Sequence, residues 1–152
     1  MNGKVVALCI ARVAGGPMLA LPEVQAIARH GLEGDRYALG AGSFNKEKVG
    51  RRQVTLINAK FFLGTEFGYL DTRRNIVTDG IELMWLIGKD FPIGEARFRG
   101  LKYCEPCNRP SKKSGKFGFQ ETFSDCGGLV AEVIEGGLIR IGDEIISPPK
   151  GY

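Results

Sequence analysis

Two cysteines three residues apart, in Cys104-Glu105-Pro106-Cys107, are the side chains of this chain best suited to chemistry. A thiol acts as nucleophile or metal ligand in its thiolate form, which requires nearby positive charge or backbone N–H groups. Arg109, Lys112 and Lys113 follow closely and can supply that charge, while Glu105 opposes it. Pro106 sets its own φ at about −65° and has no N–H to donate. It also pushes Glu105 towards extended geometry, so the pair is expected in a turn just after a strand.

Three chemistries compete with a bland reading of two inert thiols near the surface of the fold. Zinc would take two ligands from the pair, but a structural site needs four. Cys9 and Cys126 could complete it only if the fold gathered them, and the sequence has no second CxxC and no HxxxH. A thioredoxin-like dithiol would place the motif at a helix start inside a βαβ unit, which the surrounding strand-rich sequence does not offer. The third chemistry is a single reactive thiol that carries a substituent, a sulfur atom or a metal bond. Spacing alone prefers neither Cys104 nor Cys107.

The elements that must hold the pair read as short strands. Val5-Val6-Ala7-Leu8-Cys9-Ile10 is apolar and β-branched, as in a buried strand. Further strands are expected at residues 18–21, 53–57, 74–78 and 96–104, the last of them delivering Cys104 to its end. Asn58 can cap a helix running on from Ala59, weakened by Gly64 and Gly68. Residues 129–134 and 138–141, separated by Glu135-Gly136-Gly137, predict a hairpin. The basic stretch 108–118 reads as a loop or a frayed helix end, and the polar stretch up to Arg52 as a long exposed loop.

Composition agrees with this texture. The 22 glycines among 152 residues are dispersed between apolar runs, as in a β protein with many tight turns. The expected fold is mainly β, a closed or nearly closed barrel with a few short helices, forming one domain over residues 1–152. The net charge of +4 comes without a long basic block, and no aromatic pattern suits RNA stacking. A small anionic ligand therefore fits better than nucleic acid. No apolar run approaches the roughly 20 residues of a membrane helix. The start of the chain reads as a strand rather than a signal peptide, so a cytoplasmic location is expected.

Six segments in order carry a further signal. They are Gly31-Leu32-Glu33-Gly34-Asp35-Arg36, Arg74-Asn75-Ile76-Val77-Thr78-Asp79-Gly80, Gly88-Lys89-Asp90-Phe91-Pro92-Ile93-Gly94, the cysteine pair, Gly127-Gly128-Leu129-Val130-Ala131, and the run from Glu135 to Glu144. The series resembles the MOSC domain, the family named for the C-terminal domain of molybdenum-cofactor sulfurases. The resemblance implies a β-barrel that binds the molybdenum cofactor (molybdopterin) or carries sulfur as a cysteine persulfide. It assigns the key role to Cys107, as persulfide carrier or molybdenum ligand, with Cys104 as an auxiliary thiol. It does not choose between sulfur transfer and molybdenum-dependent reduction.

The resemblance also suggests partners for that thiol. Arg36 and Arg74 offer planar forks suited to the cofactor's oxyanions. Asn75 and Thr78 can hydrogen-bond the pterin or the metal's oxo groups, and Asp35 can orient Arg36 or accept a pterin N–H. Each has a plainer reading as a turn or strand-end residue. Relatives often carry histidine where this chain has Tyr37, and His30 does not match that position. A chain of 152 residues has no room for a pyridoxal-phosphate domain, so sulfur would come from a separate cysteine desulfurase, or electrons from a reductase partner. The alternatives are a non-catalytic cofactor-delivery or partner-binding module, and a zinc-stabilised β domain.

Overall fold

Strand β1 (Asn2–Ile10) is the longest among the described residues, and it is the strand on which the sheet closes. The computed structural model describes residues 2–39, 52–106 and 109–149. The lower half of β1 pairs with β11 (Glu144–Ile146), in register Asn2 with Ile146. Its upper half pairs with β2 (Leu19–Leu21), in register Ile10 with Leu19. Its other edge pairs with β6 (Ile76–Asp79), with a register shift between Val5 and Ala7. From β6 the order runs through β5 (Val54–Asn58), β9 (Leu129–Glu135), β8 (Ala96–Tyr103) and β7 (Asp90–Ile93) to β11. The β11–β1 pairing closes seven strands into a barrel, as expected of a mainly β chain.

Period-2 alternation decides what fills it. Leu56 of β5 and Ile76 of β6 belong to the main core with Leu8, Phe91, Phe98, Leu129 and Ile145. Phe91 and Phe98, on adjacent strands, stack at 6.0 Å between ring centroids. The next residue along each of β5 and β6, Ile57 and Val77, belongs to a second apolar cluster with Phe62, Phe67, Phe119 and Phe123. All five residues of β5 are therefore buried, the polar Thr55 and Asn58 included, although its sequence reads as an alternating strand. Burial of each such side chain contributes about 1.5–3 kcal/mol.

After helix α1 (Arg109–Ser114), the single turn α2 (Phe119–Thr122) packs into this second cluster through Phe119. Phe119 and Phe123 stack at 4.7 Å, and edge contacts of 5.3–5.7 Å tie them to Phe62 and Phe67. The segment after the cysteine pair is thus anchored by aromatic packing, and part of the loop expected at 108–118 is helical. The helix expected from Ala59 is instead two separate 3-10 turns, Ala59–Phe62 and Tyr69–Thr72. Gly64, at φ +77, lies between them in a conformation that a helix cannot use.

The hairpin expected at residues 129–141 does not form. Strand β10 (Gly137–Arg140) leaves the barrel and pairs with β3 (Glu23–Ile27), which pairs in turn with the short β4 (Gly31–Leu32). The reason lies at the glycine pair. Gly137 crosses so close to Glu95 that a β-carbon there would overlap the Glu95 carbonyl, so the chain passes over to a second sheet instead of folding back. Among the described residues, no helix is long and apolar enough to cross a membrane.

Candidate functional site

At the end of β8 the ladder continues past the last strand residue. The Cys104 N–H donates to the Gly128 carbonyl at 2.9 Å, and the Gly127 N–H donates to the Tyr103 hydroxyl at 3.1 Å. A β-carbon on Gly127 would overlap the Cys104 carbonyl and lie 2.9 Å from Pro106 Cδ. Only glycine permits this approach, and it fixes the 104–106 segment against the start of β9. Cys104 itself is fully buried. Cys107, with Asn108, lies outside the described residues.

Arg74 comes to the same place from the other side. It is 6% exposed. Its Nε donates to the Gly127 carbonyl at 2.8 Å and its Nη1 to the Thr72 carbonyl at 3.1 Å. The guanidinium carbon lies 5.7 Å from the Phe119 ring centroid. Nη2 is buried and has no hydrogen-bond partner, and no ion pair involves Arg74 among the described residues. A buried cation without a counter-ion is costly. An anion reaching Nη2 would relieve that cost.

Arg73, its neighbour, is held in left-handed geometry at φ 61 where the 3-10 turn ends. Its Nη1 donates to the Gly16 carbonyl at 2.8 Å. It lines a cleft of about 340 Å³ together with the Gly15-Gly16-Pro17-Met18 loop, Leu70, Asp71, and Lys113 and Ser114 of α1. Two successive arginines thus serve two places. The sequence reading missed Arg73, whose only signal was its position beside Arg74.

Of the other expected site residues, Arg36 reaches the lining of this cleft, through Met18 and the Arg73 carbonyl. Asp35 and Arg36 are a buried ion pair at 2.9 Å. Asp35 also accepts the Ala11 N–H at 3.0 Å, while the Arg36 N–H donates to the Ala11 carbonyl at 2.6 Å. Arg36 Nη2 donates to the Arg73 carbonyl and the Tyr37 hydroxyl, each at 3.1 Å, and Nη1 lies 3.9 Å from the Met18 sulfur. Tyr37 is buried, and the Arg36 guanidinium stacks 4.2 Å from its ring centroid. Asn75 bridges two strands. Its Nδ2 donates to the Cys9 carbonyl at 3.1 Å, and its Oδ1 accepts from the Thr55 N–H at 3.0 Å. Thr78 faces elsewhere, donating to Asn58 Oδ1 at 2.8 Å.

The remaining thiols are poor nucleophiles. Burial pushes Cys9 up to about 11, and burial, followed by the charge of Asp125, raises Cys126. Among the described residues, no three His, Cys, Asp or Glu side chains are grouped to hold a metal ion. Nothing there gathers Cys9, Cys104 and Cys126 for zinc. The His30 ring bonds its local Ala28 carbonyl at 3.0 Å, and its backbone N–H donates to the Ile27 carbonyl at 3.0 Å.

Comparison with known proteins agrees with this architecture. The MOSC domain family profile matches residues 33–146. The chain belongs to the MOSC domain family. Among curated proteins, none matches it in sequence. The solved YuaD protein from Bacillus subtilis superposes with a TM-score of 0.80 at 19% identity, covering 95% of this chain and 94% of that one. YiiM from Escherichia coli gives 0.67 at 18%, covering 100% and 73%, and YiiM from Geobacillus stearothermophilus gives 0.69 at 12%, covering 99% and 77%. At such identities these likenesses speak for the fold.

The MOSC family is associated with molybdenum-cofactor binding and sulfur transfer. That cofactor is an anionic pterin with a dithiolene head and a terminal phosphate. The residues present fit such a group on one observation of this MOSC chain. Arg74 Nη2 is a buried donor without a partner, beside the segment that leads to Cys107.

Proposed function

We propose that this protein binds the molybdenum cofactor, with Arg74 holding an oxyanion of the cofactor and Cys107 serving as metal ligand or persulfide carrier. The reading is carried by the unpartnered, buried Nη2 of Arg74. Asp35, Arg36 and Asn75 act as positioning residues. The first two tie residues 35–37 to Ala11 and to the Arg73 carbonyl, and Asn75, next to Arg74, ties the segment before β6 to β1 and β5. Thr78 takes a supporting place in β6. Cys104, fully buried behind Gly127, acts as the auxiliary thiol of the pair.

When bound, the cofactor would supply a redox-active metal able to exchange oxygen or sulfur with a substrate. The chain's own part is to hold charge and thiol. In sulfur transfer, the Cys107 thiolate attacks the outer sulfur of a donor persulfide supplied by a desulfurase partner. The new S–S bond forms on Cys107, the old one breaks, and the donor leaves as thiolate. No net oxidation occurs.

The test is purification from a host competent in cofactor synthesis, comparing wild type, Cys107→Ser and Arg74→Met. Molybdenum is measured by elemental analysis, pterin by fluorescence after oxidation, and sulfur on the Cys104–Cys107 peptide by mass. Wild type should carry metal and pterin, or gain the mass of one sulfur atom at Cys107. Both variants should lose about tenfold or more of the bound cofactor. Full loading of Cys107→Ser would remove Cys107 from its role and leave a delivery module. Full loading of Arg74→Met would overturn the anchoring of the cofactor by Arg74.

A further inference from the structure

The cleft beside Arg73 has features that anchoring a cofactor at Arg74 does not use. Its volume of about 340 Å³ suits a small molecule. The lining is of two kinds. Pro17, Met18 and Leu70 are apolar, whereas Arg73, Lys113 and Ser114 are cationic or hydrogen-bonding. The one carboxylate there, Asp71, is already committed. It pairs with Lys116 Nζ at 2.6 Å and accepts the Gly68 N–H at 2.8 Å. Two cations, Arg73 and Lys113, and one ion-paired carboxylate thus line the cleft.

Arg73 is a preorganised part of this wall. It is 7% exposed, its Nη1 is fixed on the Gly16 carbonyl at 2.8 Å, and its backbone is held in left-handed geometry. Such a conformation is uncommon for a residue that carries a β-carbon and has an energetic cost. Here it lets consecutive arginines diverge, Arg74 to Gly127 and Arg73 to the cleft. Lys113 completes the opposing side, its ammonium 3.3 Å from where a β-carbon on Gly15 would stand. A glycine at that position leaves the lysine room beside the loop.

We propose that this cleft is the substrate site of the centre. It would take a small organic molecule with an apolar body of about one ring and a single anionic group, the body against Pro17, Met18 and Leu70 and the anion against Arg73 and Lys113. Its being the substrate's place rests on the cofactor reading given above; the binding itself does not.

The experiment uses the full chain and three probes: phenyl phosphate, inorganic phosphate and phenol. Affinities are measured by calorimetry, and the bound region by amide chemical shifts. Wild type should bind phenyl phosphate at least about tenfold more tightly than either fragment, with shifts at residues 15–18, 70–73 and 113–114. Lys113→Gln and Leu70→Glu should each weaken it about tenfold. Both side chains are exposed, so their melting temperatures should match wild type. Equal affinity for inorganic phosphate would overturn the apolar half, and an undiminished Lys113→Gln would overturn the anionic half. Shifts confined elsewhere, or no binding, would overturn the site. Molybdenum content of the same wild-type preparation is recorded separately, so a chain that binds phenyl phosphate but never holds molybdenum counts against the cofactor reading alone.

Discussion

Arg74 and Gly127 meet through one hydrogen bond, 2.8 Å from Nε to the glycine carbonyl, and the same glycine lies against the Cys104 carbonyl. One residue without a side chain therefore joins the buried cation to the thiol segment. Gly127→Ala would force its methyl group into backbone and Pro106 rather than into a flexible neighbour. Overpacking of this kind costs about 1–3 kcal/mol. Urea unfolding should show that loss, and native-state alkylation of Cys104 should accelerate because its cover is displaced. An alanine variant as stable as wild type, with Cys104 still protected, would show that the segment yields freely.

Arg74 also makes a prediction about anions. Its charge is buried without an acidic partner among the described residues, so a small anion that reaches Nη2 stabilises the folded state. At a hundredfold excess over its dissociation constant, a ligand adds about 2.7 kcal/mol. Melting of cofactor-free wild type in rising phosphate should therefore shift upward more than melting of Arg74→Met. General salt effects act on both proteins and cancel in the comparison. Parallel shifts in the two would mean that phosphate does not reach Nη2.

Asp35 and Arg36 differ from Arg74 in being paired. Asp35→Asn leaves the Arg36 guanidinium, at 6% exposure, without its counter-charge. Breaking a buried pair in this way costs about 3–5 kcal/mol. Replacing both, as Asp35→Asn with Arg36→Met, should cost less than the sum of the single changes. A double-mutant cycle in chemical denaturation measures that coupling. Additive effects would mean that Asp35 acts through its bonds to the Ala11 and Tyr37 N–H groups rather than through Arg36.

Much of the barrel was legible because its signals are local. Alternation in β8 and the apolar run of β1 require no knowledge of partners. The 137–140 strand was legible as a strand but not in its pairing, since a glycine pair permits a hairpin turn and a crossing equally well. The contact with Glu95 that decides between them is long-range. Among site residues, motif order pointed to Arg74 but passed over Arg73. What distinguishes Arg73 is a left-handed backbone at a 3-10 terminus and a bond to Gly16, 57 positions away. Asn75 and Arg36 were read as ligand-facing because amide and guanidinium groups suit oxyanions. In the fold they bond Asp35 and Tyr37 beside Arg36 and, distant in sequence, Cys9, Thr55, Ala11 and Arg73, partners that the sequence does not show.

Cys9 gives the chain an alkaline limit. Burial in β1 raises its thiol from 9.0 to about 11, so between these values the folded state holds a proton that the unfolded chain releases. The folded protein then binds more protons, and stability falls as pH rises through that window. Below pH 9 the contribution is fully present; above about pH 11 it is gone. The loss is about 2–3 kcal/mol for a two-unit shift. Cys9→Ala removes the titration at the expense of a small cavity, so it should unfold more easily at pH 7 but show a flatter decline from pH 9 to 11. Denaturation midpoints of the two proteins across that range provide the measurement. Parallel curves would mean that the alkaline loss arises from another group.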